Sequence, residues 1–287
     1  MTDLDDNAKC VFEEEGFLFF PTLFSIAEVA VLRAAAAKVM ARRGSGVVQE
    51  PGSDAVRLVY GAHRFNEVFS RLGRHPRLIG RVERLMDASV YVHQSRLNPK
   101  AAFAGELWPW HQDFATWNDR DGMARPRAMM VAVFLEDVTA ANAPLLIIPR
   151  SHRRGLIHGT EDKKDADGYT LFHIPPDTIA ELAAEGGVAA QTGVAGSVLI
   201  CHCNIVHGSS TNITPSPRTI FYLNYAAVDN PPTNFRRAEH HCTRDWSAIV
   251  PLADDCLHQF APVAATAGLK APLAELGSSS LTRGPHL

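Results

Sequence analysis

The sequence predicts a mainly β fold with flanking helices, a β-sandwich or jelly roll that follows a helical N-terminal third. In that first third, apolar residues recur at the spacing of amphipathic helices. From Val90 onward, short β-branched and aromatic runs separated by turn residues replace them. No regular strand-helix alternation is visible, which disfavours a doubly wound parallel sheet. We predict a single domain over residues 1–287, a length compatible with one large core.

The helical lead-in is expected over about residues 25–88. A short apolar run, GFLFFP, precedes it and is typical of a strand. Ser25 then stands at a helix N-cap position and Glu28 at the matching capping-box position, and helical spacing continues to Met40. The next helical stretch, FNEVFSRLGRHPRLIGRVERLM, contains Pro76, and proline interrupts a regular helix. This stretch is therefore predicted to form two helices.

The core is expected over about residues 89–230, where runs such as VYVHQSRLN, RAMMVAVFLED, APLLIIPRSH and RTIFYLNYAAV are typical of strands. Residues 160–190 interrupt this pattern with a charged, turn-rich stretch before a short helix. We interpret them as an insertion that forms either a solvent-exposed loop or a lid over a site. The tail, about residues 265–287, is small and polar and is expected to be poorly ordered.

Composition narrows the range of partners. With 46% hydrophobic residues, 21% charged residues and a formal net charge of -3, the chain lacks the basic excess that binds nucleic acid or an anionic membrane. Its start is acidic, unlike a signal peptide, and no apolar run is long enough to span a bilayer. Five scattered cysteines do not resemble a disulfide framework. We therefore predict a cytoplasmic protein whose thiols are reduced and whose substrate is a small molecule. A homodimer is compatible with the sequence.

A histidine and an aspartate one residue apart, His111 and Asp113, lie in the tryptophan-rich segment WPWHQDFATW. In an extended strand, positions i and i+2 point to the same face, so both side chains could reach one metal ion while Gln112 points away. Two imidazoles and one carboxylate form the facial triad of non-haem Fe(II) enzymes. His111 and Asp113 would supply two of these three ligands.

The second imidazole must come from a distant strand, and GSVLICHCNIVHGSS offers His202 and His207. Strand alternation places His202 opposite its two neighbouring cysteines, whereas His207 stands at a strand end before a glycine. We predict His207 as the third ligand and assign no metal to the CHC segment or to HHC at 240–242. Arg218 opens a later apolar strand, and on a strand neighbouring the ligands it would suit the carboxylate of a 2-oxoacid.

A long central block resembles the ectoine hydroxylase branch of the phytanoyl-CoA dioxygenase family. The block is YVHQSRLNPKAAFAGELWPWHQDFATWNDRDGMARPRAMMVAVFLEDVTAANAPLLIIPRSH, and that branch reads similarly through HQSR-N, HSDFETWH-EDGMPR and PGSH. The resemblance extends to VHGSSTNITPSPR and, more weakly, to FNEVFSRLGRHPRL, and omits the termini and residues 160–190. It implies a double-stranded β-helix, a cupin-like jelly roll, that binds Fe(II) and uses 2-oxoglutarate and O2.

The resemblance also implies roles for individual residues. The iron ligands are matched by His111, Asp113 and His207, and Arg218 matches the arginine that binds the distal carboxylate of 2-oxoglutarate. Further positions on the co-substrate side are matched by Gln94, Asn98, Trp108 and Ser209. For Gln94, Asn98 and Ser209, a purely structural role in hydrogen bonding within strands and turns is an equal alternative.

Departures from the family pattern concern the substrate. Where the branch reads HSDFETWH, this chain has Gln112, Ala115 and Asn118 in place of serine, glutamate and histidine. Where it reads RALSMSV, Met130 and Ala132 replace two serines. If those positions face the pocket, its wall is less polar than in the ectoine hydroxylases. The substrate is therefore expected to differ from ectoine.

Three residues are candidates for substrate contacts: Trp117, Arg127 and Met130. Trp117 could pack on a substrate ring or a cation, and a place among core aromatics is its alternative. Arg127 could bind a substrate carboxylate, and a structural salt bridge is its alternative.

The reaction that these features predict is hydroxylation of an unactivated C–H bond of a small molecule, with release of succinate and CO2. The substrate would be a cyclic amino acid or a natural-product intermediate. The carboxylate of Asp113 disfavours halogenation, which needs a vacant metal position, whereas desaturation, epoxidation and ring rearrangement stay open. A zinc hydrolase would leave Arg218 unexplained, and a non-catalytic jelly-roll binding protein would leave the full ligand set unexplained.

Overall fold

Two antiparallel sheets form the centre of the computed structural model, which describes residues 4–162 and 171–260. The helices are α1 (Asp6–Glu15), α2 (Ile26–Met40), α3 (Ala62–Phe65), α4 (Glu67–Leu72), α5 (Pro76–Met86), α6 (Asp113–Asp121) and α7 (Pro176–Gly186). The strands are β1 (Phe17–Phe20), β2 (Val47–Gln49), β3 (Val56–Tyr60), β4 (Val90–Lys100), β5 (Trp108–His111), β6 (Ala128–Phe134), β7 (Leu145–Ile148), β8 (Thr160–Asp162), β9 (Leu171–His173), β10 (Ala189–Gln191), β11 (Val198–His202), β12 (Val206–Ser209) and β13 (Arg218–Ala227). The tail predicted to be poorly ordered, 265–287, lies outside the described residues.

The two sheets enclose the interior of the jelly roll. The larger sheet has the strand order β1-β11-β6-β13-β4-β3-β2, and the smaller has the order β10-β7-β12-β5. Side chains of both sheets share one apolar cluster, in which Met130, Ala132 and Tyr222 of the larger sheet join Leu145 and Ile147 of the smaller. The mainly β architecture expected from the sequence is confirmed.

Helices cover the outer face of the larger sheet. Along β6, Val131 and Val133 belong to the core cluster that contains the helix residues Leu32, Phe69 and Ile79. Successive residues of a strand point to opposite faces, so β6 is buried on both sides, which accounts for its continuous apolar sequence AMMVAVF. The helical lead-in therefore supports the barrel from outside.

The predicted helix boundaries at Ser25 and Pro76 are confirmed. Ser25 caps α2, and its side chain and that of Glu28 form the expected capping box. Pro76 is the first residue of α5, where its missing N–H removes no helical hydrogen bond, and His75 is the N-cap. The run GFLFFP contains β1, which pairs with β11 at one edge of the larger sheet.

Four elements were not expected from periodicity. Helix α1 lies in the acidic start, and α6 lies in a region expected to be extended. Strands β2 and β3 lie inside the stretch predicted to be helical, and that part of the prediction was wrong. Strand β3 pairs with β4 through Val59–Leu97 and Tyr60–Arg96. Strand β2 then pairs with β3 at the edge of the sheet, and both strands are too short to leave a clear periodic signal in the local sequence.

The insertion at 160–190 is anchored to the barrel in its described part. Strands β8 and β9 form a separate hairpin, and α7 is the short helix expected after it. The Ile174 N–H donates to the Trp110 carbonyl at 2.9 Å, and Leu171 packs in one cluster with Trp108. Residues 163–170 lie outside the described residues, and the choice between loop and lid stays a prediction.

Two further sequence expectations concern organisation. Among the described residues, no helix combines the length and apolar character that a membrane crossing requires. All five cysteines are free, as predicted, and only Cys10 is exposed. The single-domain organisation over 1–287, with its lead-in at 25–88 and its core at 89–230, stays a prediction.

Candidate metal centre

Two histidines on neighbouring strands of the smaller sheet face each other. His111 is the last residue of β5 and His207 is the second residue of β12, and the antiparallel register pairs them directly. Their ring centroids are 4.2 Å apart, and both side chains are buried. Directly opposed residues of an antiparallel pair share one face of the sheet, so both imidazoles are directed to the same region.

Asp113 reaches these histidines through a turn into a helix. Strand β5 ends at His111, Gln112 is the N-cap of α6, and Asp113 is the first helical residue. The expectation that strand alternation alone aligns His111 with Asp113 was therefore wrong. Asp113 Oδ1 nevertheless lies 3.7 Å from His111 Nε2. One potential ligand atom from each of His111, Asp113 and His207 lies within 4.8 Å of the other two.

The backbone fixes the tautomer of both imidazoles. His111 Nδ1 lies 2.7 Å from the Pro109 carbonyl, and His207 Nδ1 lies 3.1 Å from the Ile205 carbonyl. A carbonyl oxygen can only accept, so each Nδ1 carries the hydrogen and each Nε2 lone pair is available to a metal. Burial and the neighbouring His111 lower the pKa of His207 to about 3, so it is neutral at physiological pH.

Arg96 keeps the carboxylate of Asp113 ionised. Burial by itself would raise the pKa of Asp113, but Arg96 and the two imidazoles outweigh that effect and hold it well below its usual range. Arg96 Nη2 donates to Asp113 Oδ2 at 2.8 Å and to Oδ1 at 3.2 Å. Our sequence reasoning missed Arg96. It stands between Gln94 and Asn98 in HQSRLN, so strand alternation would have placed it on the same face as these two.

A cavity adjoins the two histidines. Its remaining lining residues are Leu58, Arg96, Asn98, Trp108, Leu145, Ser209 and Tyr222. Three predicted co-substrate residues, Asn98, Trp108 and Ser209, are thus brought together with the histidines. The Trp108 ring lies under the guanidinium of Arg57, whose carbon is 4.0 Å from the ring centroid.

Arg218 does not line this cavity but contacts Asn98, which does. It is fully buried, Nη1 donates to Asn98 Oδ1 at 3.0 Å, and Nε and Nη2 donate to the Ala143 carbonyl. Strand β13 begins at Arg218 as expected, but it belongs to the larger sheet between β4 and β6. The expectation of a strand neighbouring the ligand strand β12 was therefore wrong. Arg218 approaches the cavity from the opposite sheet.

Two other predicted site residues lie away from the cavity. Gln94 Nε2 donates to the His241 carbonyl at 2.8 Å, and its Oε1 accepts from Asn224. Trp117 is 1% exposed and packs edge-on against His93, with 5.2 Å between ring centroids. Because α6 turns this indole toward β4, Trp117 is placed among core aromatics and does not line the cavity.

The other two substrate candidates differ in position. Arg127 precedes β6, and its Nε lies 3.5 Å from Asp229, as the salt-bridge alternative predicts. It lines a different groove, together with His152 and His202. The structure does not bring it to the metal centre. Met130 lies in the cluster between the sheets, and its sulfur is 3.7 Å from Arg96 Nη2. Of the three substrate candidates, Met130 is the one placed beside the metal centre.

Two departures from the family pattern stabilise local backbone. Gln112 Nε2 donates to the carbonyls of Gly155 and Asn204, at 2.9 and 2.7 Å. The Gln112 side chain therefore points away from the metal centre, as expected. Asn118 Nδ2 donates to the Met123 carbonyl at 2.9 Å, which ties α6 to the residues after it. Neither side chain is directed into the cavity.

A second cluster of potential ligands lies at the other end of α6. The side chains of His93, Asp121 and Cys242 are buried close together. Arg237 makes two hydrogen bonds to the Asp121 carboxylate, at 2.7 and 2.5 Å, and His93 Nε2 lies 3.1 Å from Asp121. The carboxylate is therefore already neutralised by a guanidinium. We interpret this cluster as an ion-pair network that holds the end of α6.

Comparison with known proteins identifies the family. The profile of the phytanoyl-CoA dioxygenase (PhyH) family matches residues 12–220, well over half of the chain. The chain belongs to the phytanoyl-CoA dioxygenase family. The resemblance inferred from the sequence motifs is thereby confirmed.

Two curated relatives of this phytanoyl-CoA dioxygenase family member are named as a hydroxylase and a dioxygenase. It is 38% identical over 260 residues to L-proline trans-4-hydroxylase of Streptomyces griseoviridis, a match that covers 88% of this chain and 97% of that protein. It is also 38% identical over 257 residues to ectoine dioxygenase of Bordetella parapertussis, covering 84% of this chain and 83% of that protein.

Solved structures confirm the cupin-like jelly roll. The crystal structure of EctD from S. alaskensis with 2-oxoglutarate and 5-hydroxyectoine matches with a TM-score of 0.78 and 34% identity over 87% of each chain. The same enzyme with bound Fe matches with a TM-score of 0.77. The fold class expected for this family member is thus confirmed.

Proposed function

We propose that this family member is an Fe(II)- and 2-oxoglutarate-dependent dioxygenase that hydroxylates a ring C–H bond of a small cyclic amino acid, releasing succinate and CO2. The observation that carries the proposal is the buried set of His111, Asp113 and His207 at the edge of a cavity. The names of the curated relatives support the same reaction class and a ring-shaped substrate.

The donor set fits Fe(II). Two imidazoles whose Nδ1 faces a backbone carbonyl and whose Nε2 is directed to the site, together with one ionised carboxylate, are the ligands of a facial triad, which leaves the remaining coordination positions open. The ion would be held by His111, Asp113 and His207. When bound, Fe(II) supplies the activation of O2 that is coupled to oxidative decarboxylation of 2-oxoglutarate.

The cavity beside the histidines suits 2-oxoglutarate. Asn98 and Ser209 contribute polar groups to its wall, and Trp108 closes one side. Arg218 donates to Asn98 and supplies a positive charge for the distal carboxylate. These residues would orient the co-substrate, and burial of the site would exclude water from the reacting groups. A direct co-substrate contact of Gln94 stays a prediction.

Among small cyclic acids, we propose that L-proline is accepted in preference to ectoine. Met130 stands where the ectoine branch carries a serine, and it lies beside Arg96 near the metal centre. Leu145, which packs in the same apolar cluster as Met130, is an apolar side chain of the cavity wall. Such a surface suits the methylene carbons of a proline ring better than the polar amidine of ectoine. The match over nearly the full length of the proline hydroxylase supports this choice.

The test of the metal centre is anaerobic addition of Fe(II) and 2-oxoglutarate, followed by visible spectroscopy. We expect the weak charge-transfer band of the chelate in the wild-type protein and in His158→Ala, which changes an exposed histidine. We expect no band in His207→Ala. A folded wild-type protein without the band, or an unchanged band in His207→Ala, would overturn the proposal.

The test of the substrate is succinate release with L-proline, pipecolate and ectoine, with mass spectrometry of the products. We expect L-proline to gain one oxygen atom. A product that loses two hydrogens instead would indicate desaturation, and an isomer of altered connectivity would indicate rearrangement. Preference for ectoine would contradict the substrate proposed from Met130 and Leu145.

Two expectations about the cell and the assembly stay predictions. We infer a cytoplasmic location from the five scattered, free cysteines. A homodimer is compatible with the sequence, and light scattering of the purified protein measures its mass in solution. Neither expectation affects the proposed chemistry, which uses residues of one chain.

A further inference from the structure

A groove outside the metal centre has a basic wall. It lies between the chain at 44–48 and the segment 236–241, and it reaches Tyr60 of β3. The basic side chains of its wall are Arg236, Arg237, His240 and His241. No carboxylate belongs to the described part of this wall. A wall of this composition attracts anions, because the positive charge of the guanidinium groups is concentrated in a concave surface.

Tyr60 lies between this groove and the metal cavity. It lines the groove, and the register of β3 with β4 sets it directly opposite Arg96, which lines the cavity. Directly opposed residues of an antiparallel pair share one face of the sheet. Leu58, two residues earlier on that face of β3, also lines the cavity. The His241 ring packs edge-on against Tyr60, with 4.4 Å between centroids. The groove therefore begins where the cavity ends along β3.

The groove lies at the end of the cavity that is farther from Arg218. Along one face of β4, Asn98 contacts Arg218, Arg96 comes two residues before it, and Gln94 two residues before that. Each step is about 7 Å. Gln94 Nε2 donates to the His241 carbonyl, which belongs to the groove wall. Because the co-substrate is assigned to the Arg218 side, the groove adjoins the side that is left to the substrate.

The segment that carries the arginines is fixed to helix α6. Arg237 donates twice to the Asp121 carboxylate, and Arg237 Nη2 and Gln94 Nε2 both donate to the His241 carbonyl. Asp121 is the last residue of α6, and the first is the candidate ligand Asp113. The groove wall and a metal ligand therefore belong to one hydrogen-bonded unit. Such a wall keeps a fixed position relative to the metal centre, as a substrate-binding surface requires.

Arg236 is the cation of this groove that a ligand can reach. The charge of Arg237 is offset by Asp121, and its side chain is buried, whereas Arg236 is exposed. Within residues 4–162 and 171–260, no carboxylate forms an ion pair with Arg236. A guanidinium group binds a carboxylate through two parallel hydrogen bonds. Arg236 therefore offers a carboxylate both charge and a matching geometry.

We propose that this groove is the docking site of the substrate, and that Arg236 binds the substrate carboxylate there, with the ring toward Tyr60 and the metal cavity. This inference rests on the proposed function, which assigns a small cyclic amino acid as the substrate. Arg236 contributes to ground-state binding and takes no part in the oxidation. Its loss therefore raises the KM and leaves kcat unchanged.

The experiment is anaerobic calorimetric titration of the protein, loaded with Fe(II) and 2-oxoglutarate, with L-proline. Arg236→Gln should bind L-proline about tenfold more weakly than wild type, and its KM should rise by the same factor at unchanged kcat. Arg236→Lys keeps the charge without the two parallel hydrogen bonds, so its affinity should lie between the two. Arg125→Gln, which removes an exposed guanidinium paired with Asp229, is the matched control and should bind as wild type.

A second ligand separates recognition of the carboxylate from damage to the groove. L-Prolinamide has the same ring but no carboxylate, so Arg236→Gln should bind it no more weakly than wild type does. Equal weakening for both ligands in Arg236→Gln, or unchanged affinity for L-proline, would overturn the inference. Failure of the wild type to bind L-proline at all would instead overturn the proposed substrate, and this inference with it.

Discussion

Asp113 must stay ionised in a buried position while it keeps an oxygen accessible to a metal. Arg96 satisfies the first condition, because it counters the cost of burial by donating from Nη2 to both carboxylate oxygens, while Oδ1 still lies 3.7 Å from His111 Nε2. From the sequence, strand alternation could have placed Arg96 on the same strand face as Asn98. The contact of Arg96 with Asp113 could not be predicted, because it depends on where α6 lies relative to β4.

We predict that Arg96→Met weakens metal binding by about 10- to 100-fold, because it removes the partner that orients and ionises the ligand carboxylate. Equilibrium titration with Fe(II) or Co(II) under anaerobic conditions measures the effect. Arg125→Met, which removes an exposed guanidinium paired with Asp229, is the matched control and should bind metal normally. Equal metal affinity in the two variants would contradict the role given to Arg96.

Among the secondary-structure elements, α6 has the greatest influence on the site. Its first residue is the candidate ligand Asp113, and its last residue, Asp121, is held by Arg237 and His93. The helix ends at Gly122, whose φ of 68° is in the left-handed region that favours glycine. Both ends of the helix are thus fixed by side chains outside it, which explains why local periodicity did not reveal α6.

Two glycine substitutions should have opposite effects on stability. In Gly122→Ala the added Cβ would lie 2.3 Å from Thr233 Oγ1 in an unfavourable backbone conformation, so we expect a loss of at least about 1 kcal/mol. In Gly80→Ala, on the exposed face of α5 with open space around the Cβ, we expect a gain of about 0.5–1 kcal/mol. Urea denaturation measures both. A urea midpoint of Gly122→Ala equal to that of the wild type would contradict the stabilising role of the C-terminal end of α6.

The whole molecule assembles its site from both sheets. The smaller sheet contributes His111 and His207, and the larger contributes Arg96 and Asn98 across the interior, with Arg218 donating to Asn98. Burial keeps the His207 imidazole neutral, and several packed histidines outside the site likewise have lowered pKa values. The same burial that prepares the metal ligands therefore makes the fold sensitive to acid.

We predict that the free energy of unfolding decreases as pH falls from about 6.5 to about 4. Burial lowers the pKa of His75 to about 4, and those of His63 and His202 likewise. The unfolded chain then binds more protons than the folded one throughout this window, so acid favours unfolding. His75 contributes up to about 3 kcal/mol.

The variant His75→Asn isolates one of these groups. Asparagine keeps an N-cap acceptor for α5, so the helix end is retained while the titrating group is removed. Denaturation at several pH values should show a shallower loss of stability in His75→Asn than in wild type. If the free energy of unfolding changes with pH equally in His75→Asn and in wild type, protonation of His75 does not contribute to the acid sensitivity.

By itself, the sequence determined the family, the mainly β fold and the helix boundaries at Ser25 and Pro76. Each of these depends on local information: motif order, strand and helix periodicity, and the chemistry of caps and proline. It also selected His111, Asp113 and His207 from 13 histidines and many carboxylates. Ligand chemistry restricts residue types strongly enough for that selection, and the structure brings the three side chains together.

Only the tertiary structure decided how these residues meet. It placed Asp113 at a helix start, brought Arg96 to its carboxylate and buried Trp117 in the core. It also set Lys100 opposite Arg218 through the register of β4 and β13. These contacts join residues far apart in the chain. Their geometry follows from strand register and helix packing, which local sequence does not specify.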